Sequence, residues 1–200
     1  MGFGRNLELA SKRLFVAITG ASGAVYAKRL LEVIAESYDR IYLTASDHSG
    51  QVLSDELSIV ELDDLIPEGH GSRFMLLDPV DVGAPPASGS HACDGMVIIP
   101  CSMGTAGRIA AGVSDDLVTR AADVCLKERR KLVLVVRETP FSLIHLENLT
   151  KLAQAGATIM PAAPAFYHNP QKVEDLVDYM VDRVLQHLGL DVRLVDRWKE

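Results

Sequence analysis

Cysteine is scarce in this chain of 200 residues: only Cys93, Cys101 and Cys125 occur, and no two of them form a CxxC pair. A disulfide framework is thereby excluded and a zinc site is not expected. His48, His91, His145 and His168 also lack metal-ligand spacing. No apolar stretch approaches the ~20 residues that cross a bilayer. The opening MGFGRNLELASK has no apolar centre of the kind a signal peptide needs. Positive charge is short as well: the net charge of −7 argues against general nucleic-acid binding, because phosphate backbones need bulk neutralisation. The one local basic cluster, Lys127 to Lys131, reads equally as a solvated helix end whose cations complement the dipole. Internal repeats, low-complexity tracts and linkers are missing too. The expectation is a soluble, cytoplasmic protein with no membrane partner, forming one domain over 1–200. Residues 1–12 would be an N-terminal extension and 189–200 a C-terminal tail.

Short apolar runs followed by helical patterns fill the chain. Leu14 to Thr19 reads as a strand, and Gly20, Ala21, Ser22 and Gly23 as a tight turn into an amphipathic helix. Ile41 to Ala45 is a second strand, ending at Ser46, and Gln51 to Leu57 a helix that carries Glu56. Glu61 to Glu68 reads as an acidic surface loop, Arg73 to Leu77 as a short strand, and Gly83 to Ser90 (GAPPASGS) as an irregular loop entering the central strand, Met96 to Cys101. Ser102, Met103, Gly104 and Thr105 then turn into a short helix to Ala111. A longer helix, Asp115 to Arg129, has Ser114 and Asp115 available as caps. Leu132 to Val136 is a strand ending at Arg137 and Glu138. Helices over Ser142 to Ala155 and Val173 to Leu188 flank a strand, Ala157 to Pro161, and a Pro-rich loop through Tyr167 and His168. Such alternation predicts an α/β fold, a doubly wound and mainly parallel sheet with helices on both faces.

In that fold, polar residues after strands converge on a crevice at the carboxyl edge. Ser22, Ser46, the Ser102–Thr105 turn, Arg137 and Glu138 are so placed, with Tyr167 and His168 beside them. Hydroxyls and amides at helix starts suit a phosphorylated cofactor. Asp or Glu at the end of the second strand would suit NAD; here Ser46 precedes Asp47, which weakens the NAD reading and leaves it open. The turn at Gly20 is GxxG rather than GxGxxG, so by itself it points only weakly to a nucleotide. Ser102 and Thr105 taken alone read first as helix caps. A carboxylate directly after a buried strand, as Glu138 is, is costly unless partnered.

Longer motifs say more. TGASGAVYAKRLL, PPASGS, IIPCSMGT, RAADVCLKERRKLVLVVRETP and PAFYHNPQKVEDLVDYMVDRVL together resemble the flavin prenyltransferase family, from the first strand to the last helix. Older labels for that family name a carboxy-lyase of ubiquinone biosynthesis or a phenylacrylic acid decarboxylase. The resemblance implies a metal-independent enzyme joining a dimethylallyl group from dimethylallyl monophosphate to N5 and C6 of reduced FMN. Its product would serve a partner decarboxylase. FMN contacts are implied at Gly20, Ala21, Ser22, Ser46, Ser102, Met103, Gly104, Thr105 and Arg137, and prenyl-phosphate contacts at Lys127, Arg137, Tyr167, Arg183 and Trp198. Glu138, Ser22 and Glu56 are the implied catalytic groups, and a homododecamer the implied assembly. VVRE stands where VPRE is commoner, and the Glu56–Arg73 region matches poorly. The competing expectations are an FMN-dependent decarboxylase of the cysteine-decarboxylase superfamily, whose PxMNxxMW motif is absent, and a non-catalytic flavin-binding subunit.

Overall fold

The computed structural model describes residues 11–196. Among these residues six strands form one sheet: β1 (Arg13–Ile18), β2 (Arg40–Ala45), β3 (Phe74–Leu76), β4 (Gly95–Cys101), β5 (Lys131–Val136) and β6 (Thr158–Pro161). Every pair is parallel and the order is β3-β2-β1-β4-β5-β6. The order reverses between β1 and β4, so the loops that leave those two strands diverge and open a crevice. All seven residues of β4 are buried, as its valine- and isoleucine-rich run requires in a sheet covered on both sides.

Period-two alternation distributes β1 between two cores. Leu14, Val16 and Ile18 face one core, with helices α1 (Ala24–Ile34) and α6 (Val173–Leu188). Phe15 and Ala17 face the other, with α3 (Met103–Ala110), α4 (Leu117–Lys127) and α5 (Leu143–Gln154). A further helix, α2 (Ser49–Leu57), follows β2. Among the described residues, no helix is long and apolar enough to cross a membrane.

Three expectations need correction. Helix α4 is capped by Asp116 rather than by Ser114 or Asp115: Asp116 Oδ1 accepts from Thr119 N at 2.7 Å, while Asp115 turns to Arg108. Helix α3 begins at Met103, two residues earlier than expected, because the Ser102 hydroxyl accepts from Thr105 N and caps it. The acidic stretch 61–68 contains a 3-10 turn, Leu62–Leu65, anchored by the buried Leu65.

Candidate active site

Thr19 closes the sheet at its switch point. Its hydroxyl donates to Pro100 O at 2.9 Å and accepts from Ser102 N at 2.8 Å, so the exits of β1 and β4 are locked together. Next to it, Gly20 passes so near the loop after β2 that a Cβ there would lie 2.8 Å from His48 Cβ. Gly23 adopts φ +112°, a left-handed geometry that suits glycine, and delivers the chain into α1.

Five of the expected cradle residues, Gly20, Ser46, Ser102, Gly104 and Thr105, line a single cavity of about 470 Å³ over the ends of these strands. Ala21 and Met103 sit behind, buried. Gly104 keeps the first turn of α3 open, since a Cβ there would meet nothing nearer than Ser102 Oγ at 3.9 Å.

Glu56 is drawn into the same region despite its place on another helix. Helix α1 has no side-chain cap of its own and no acidic residue in its first turn. The Glu56 carboxylate supplies both, accepting from Gly23 N at 2.9 Å and Ala24 N at 2.8 Å. Burial pushes its carboxyl up, but hydrogen bonds from Ser22, Gly23 and Ala24 and the charge of Arg137 outweigh that, so it rests below the ordinary carboxylate value. Ser22, Glu56 and Arg137 therefore share one electrostatic neighbourhood.

Arg137 follows β5, and its backbone N–H donates to Cys101 O at 3.2 Å. Its Nε is buried and, among the described residues, has no hydrogen-bond partner. A buried guanidinium N–H without an acceptor is costly, and is the kind of donor that a ligand satisfies. Arg137 and Glu138 line a second cavity, of about 270 Å³, between the exits of β5 and β6. Glu138 turns back on its own loop and accepts from Thr139 N at 3.1 Å.

The prenyl-phosphate residues divide. Tyr167 packs edge-on to Tyr179 with centroids 5.9 Å apart, and His168 stacks on Tyr179 at 5.4 Å. Arg183 lies on the same helix and lowers the pKa of Tyr179, although burial and Tyr167 prevail and raise it. Arg183 bonds Gln186, whose amide donates to the buried Asp182; Asp182 in turn accepts from Leu194 N at 2.9 Å. That chain of bonds ties Arg183 to the segment leading to Trp198, which itself lies outside the described residues. Lys127 is not brought to the crevice. It ends α4 four residues before β5 begins, at the amino edge of the sheet, paired with Glu128 and against Gly89. The 83–90 loop lies at that edge as well, held by Arg120 donating to Ala87 O and Arg130 to Gly89 O.

Sequence reasoning missed Thr19 and Arg108. Arg108 lines the cavity of Ser46, Ser102 and Thr105; its signal was its position three residues after Thr105, which puts both on one helix face.

A family model described as flavoprotein matches residues 5–185. The flavin prenyltransferase UbiX of Pseudomonas aeruginosa is 45% identical over 198 residues, covering 94% of this chain and 95% of that protein. The chain belongs to the flavin prenyltransferase family. A crystal structure of AnUbiX (PadA1) in complex with FMN and dimethylallyl pyrophosphate matches with a TM-score of 0.88 at 38% identity, covering 95% of this chain and 98% of that one. A dodecameric FMN-dependent UbiX-like decarboxylase from Escherichia coli O157:H7 matches with a TM-score of 0.86 at 40% identity, covering 94% and 100%.

The residues present fit the flavin that this family uses. The larger crevice cavity falls within the ~300–1,000 Å³ typical of cofactor sites. It is lined by hydroxyls and a glycine-opened helix start, and Arg137 offers a buried donor awaiting an acceptor.

Proposed function

We propose that this protein joins the dimethylallyl group of dimethylallyl monophosphate to reduced FMN, within a single flavin-binding domain over 1–200, in the cytoplasm. The observation that carries the reading is the cavity at the switch point lined by Gly20, Ser46, Ser102, Gly104 and Thr105, with Ser22 and Arg137 acting together on Glu56 just past the Gly20 turn. Gly20, Ala21, Ser22, Ser46, Ser102, Met103, Gly104, Thr105 and Arg137 would hold FMN. Reduced FMN supplies the electron-rich N5 and C6 to which the prenyl group becomes attached.

The chain's own part is charge and proton management. Breaking an allylic C–O bond leaves phosphate, so donors must meet charge growing on the leaving oxygen. Arg137, Arg183 and Tyr167 supply such donors, and a charge-assisted bond contributes roughly 1.5–3 kcal/mol. Glu138, next to Arg137, acts as the acid that protonates the departing phosphate. Glu56 rests ionised and takes a hydrogen bond from Ser22, so Ser22 Oγ and the Glu56 carboxylate form a proton-accepting relay. Trp198 and Tyr167 offer π faces to positive charge on the allyl fragment.

Lys127 enters this scheme only through another copy of the chain, because its own crevice lies at the opposite edge of the sheet. We read the assembly as a homododecamer in which Lys127 completes a neighbour's site. The prenylated flavin would be handed to a partner decarboxylase, in ubiquinone synthesis or a related pathway.

The test is anaerobic incubation with reduced FMN and dimethylallyl monophosphate, then mass spectrometry of the extracted flavin. A gain of one five-carbon unit is expected. Flavin of unchanged mass would refute the reading, and a parallel run with dimethylallyl pyrophosphate decides the donor. Mixing Lys127→Ala with Glu138→Gln subunits should restore part of the activity that each lacks alone; no restoration would make the site one chain's own.

A further inference from the structure

Arg108 has no role in the scheme above, yet among the described residues it is the one lysine or arginine lining the cavity of Ser46, Ser102 and Thr105. Two carboxylates orient it. Its Nη1 donates to Asp115 Oδ1 at 3.0 Å and to Asp116 Oδ2 at 2.6 Å. Both bonds leave from Nη1, so the Nε–Nη2 edge, the side of the fork that matches two oxygens of an oxyanion, is engaged by neither acid.

Asp116 cannot easily swing away. Its other oxygen accepts from Thr119 N at 2.7 Å and from Thr119 Oγ1 at 2.7 Å, the reciprocal cap of α4. Burial pushes the Asp116 carboxyl up, but the Thr119 bonds and Arg108 outweigh it and keep the group anionic. The guanidinium is thus held before any ligand arrives, which lowers the ordering cost of binding. It is also needed. Without it the cavity would present the acids Asp47 and Asp116 to an incoming anion.

We infer that Arg108 reads a phosphate monoester at the α3 end of this cavity, and so sets a preference for FMN over riboflavin. The inference rests on the flavin reading given above. The first turn of α3, opened by Gly104 and capped by Ser102, adds backbone donors on the same side.

The test is fluorescence titration of the purified protein with FMN and, separately, riboflavin, with no prenyl donor present. Wild type should favour FMN. Arg108→Ala should raise the FMN Kd by about ten-fold or more, the loss of one charge-assisted bond, and leave the riboflavin Kd within about two-fold. Arg108→Lys should recover part of the difference, and its FMN affinity should fall with added sodium chloride. Equal weakening of both flavins would make Arg108 a strut between α3 and α4 and overturn the inference, as would no change in either. An increased KM for dimethylallyl monophosphate with an unmoved FMN Kd would assign the arginine to the other phosphate, and also overturns it. Wild type that binds neither flavin would instead refute the flavin reading itself.

Discussion

Replacing Glu56 with Gln tests whether an acid from one helix holds the start of another. Besides the hydrogen bond from Ser22, three backbone donor contacts depend on this carboxylate: Gly23 N to Oε2 at 2.9 Å and to Oε1 at 3.1 Å, and Ala24 N to Oε2 at 2.8 Å. A glutamine keeps one acceptor oxygen and turns an NH2 toward donors, so at least one contact is lost along with the charge at the helix N-terminus. Losing a cap costs about 1 kcal/mol. The added dipole contribution, a few tenths, is screened because the residue is exposed. For a chain of this size the melting temperature should fall by about 2–4 °C per kcal/mol. The pH dependence carries a sign. Because the folded carboxyl lies below its ordinary value of 4.5, its contribution is fully present above that value and is lost as pH falls through the folded one. Glutamine does not titrate, so the gap between wild type and Glu56→Gln should be open at about pH 7 and close in acid. Melting curves of both proteins across that range measure it. A variant as stable as wild type at neutral pH, or a gap that persists in acid, would refute the capping argument.

Glu138→Gln should leave FMN affinity within about two-fold and slow prenylation by about 100-fold or more, the usual worth of a positioned acid, as read by mass spectrometry of the flavin. Thr19→Val keeps the shape but removes the hydroxyl between Pro100 O and Ser102 N; with that part-buried N–H left without its acceptor, urea midpoints should show a loss of about 1 kcal/mol. Burial pushes the thiols of Cys101 and Cys125 up to about 12 and that of the less buried Cys93 to about 11. Thiol labelling of the native protein should therefore be slow and start at Cys93; rapid modification of Cys101 would contradict the packing of β4.

Much of the fold was legible because apolar periodicity is dictated by burial. Helix α6 runs over Val173–Leu188, the span its repeating Val, Leu and Met positions predict. The strand exits were legible for the same reason, and with them the serines and glycines of the cradle. What stayed hidden were partnerships between side chains distant in sequence. Nothing near Glu56 indicates that α1 lacks a cap 33 residues earlier. Thr19 reads as the last residue of a strand until Pro100 and Ser102 are placed beside it. In SDD, three neighbouring residues can all cap; Asp116 does so because one of its oxygens meets Thr119 N while the other takes Arg108, a pairing with a residue eight positions earlier that the local sequence does not announce.

Chain direction decides one further matter. In an all-parallel sheet, residues that follow strands gather at the carboxyl edge and residues that precede strands gather at the amino edge. Gly20, Ser46, Ser102, Arg137 and Tyr167 all follow strands, and so does the crevice. Lys127 and the PPASGS loop both precede strands; Arg120 and Arg130, on either side of Lys127 in sequence, donate to Ala87 O, Gly89 O and His91 O, and Lys127 Nζ lies against Gly89. The sequence motifs therefore sort into two sets on opposite edges of one molecule. If Lys127 is to take the prenyl-phosphate role proposed for it, a second copy must present its amino edge to the first copy's crevice, since within one chain that helix end and the crevice lie at opposite edges of the sheet.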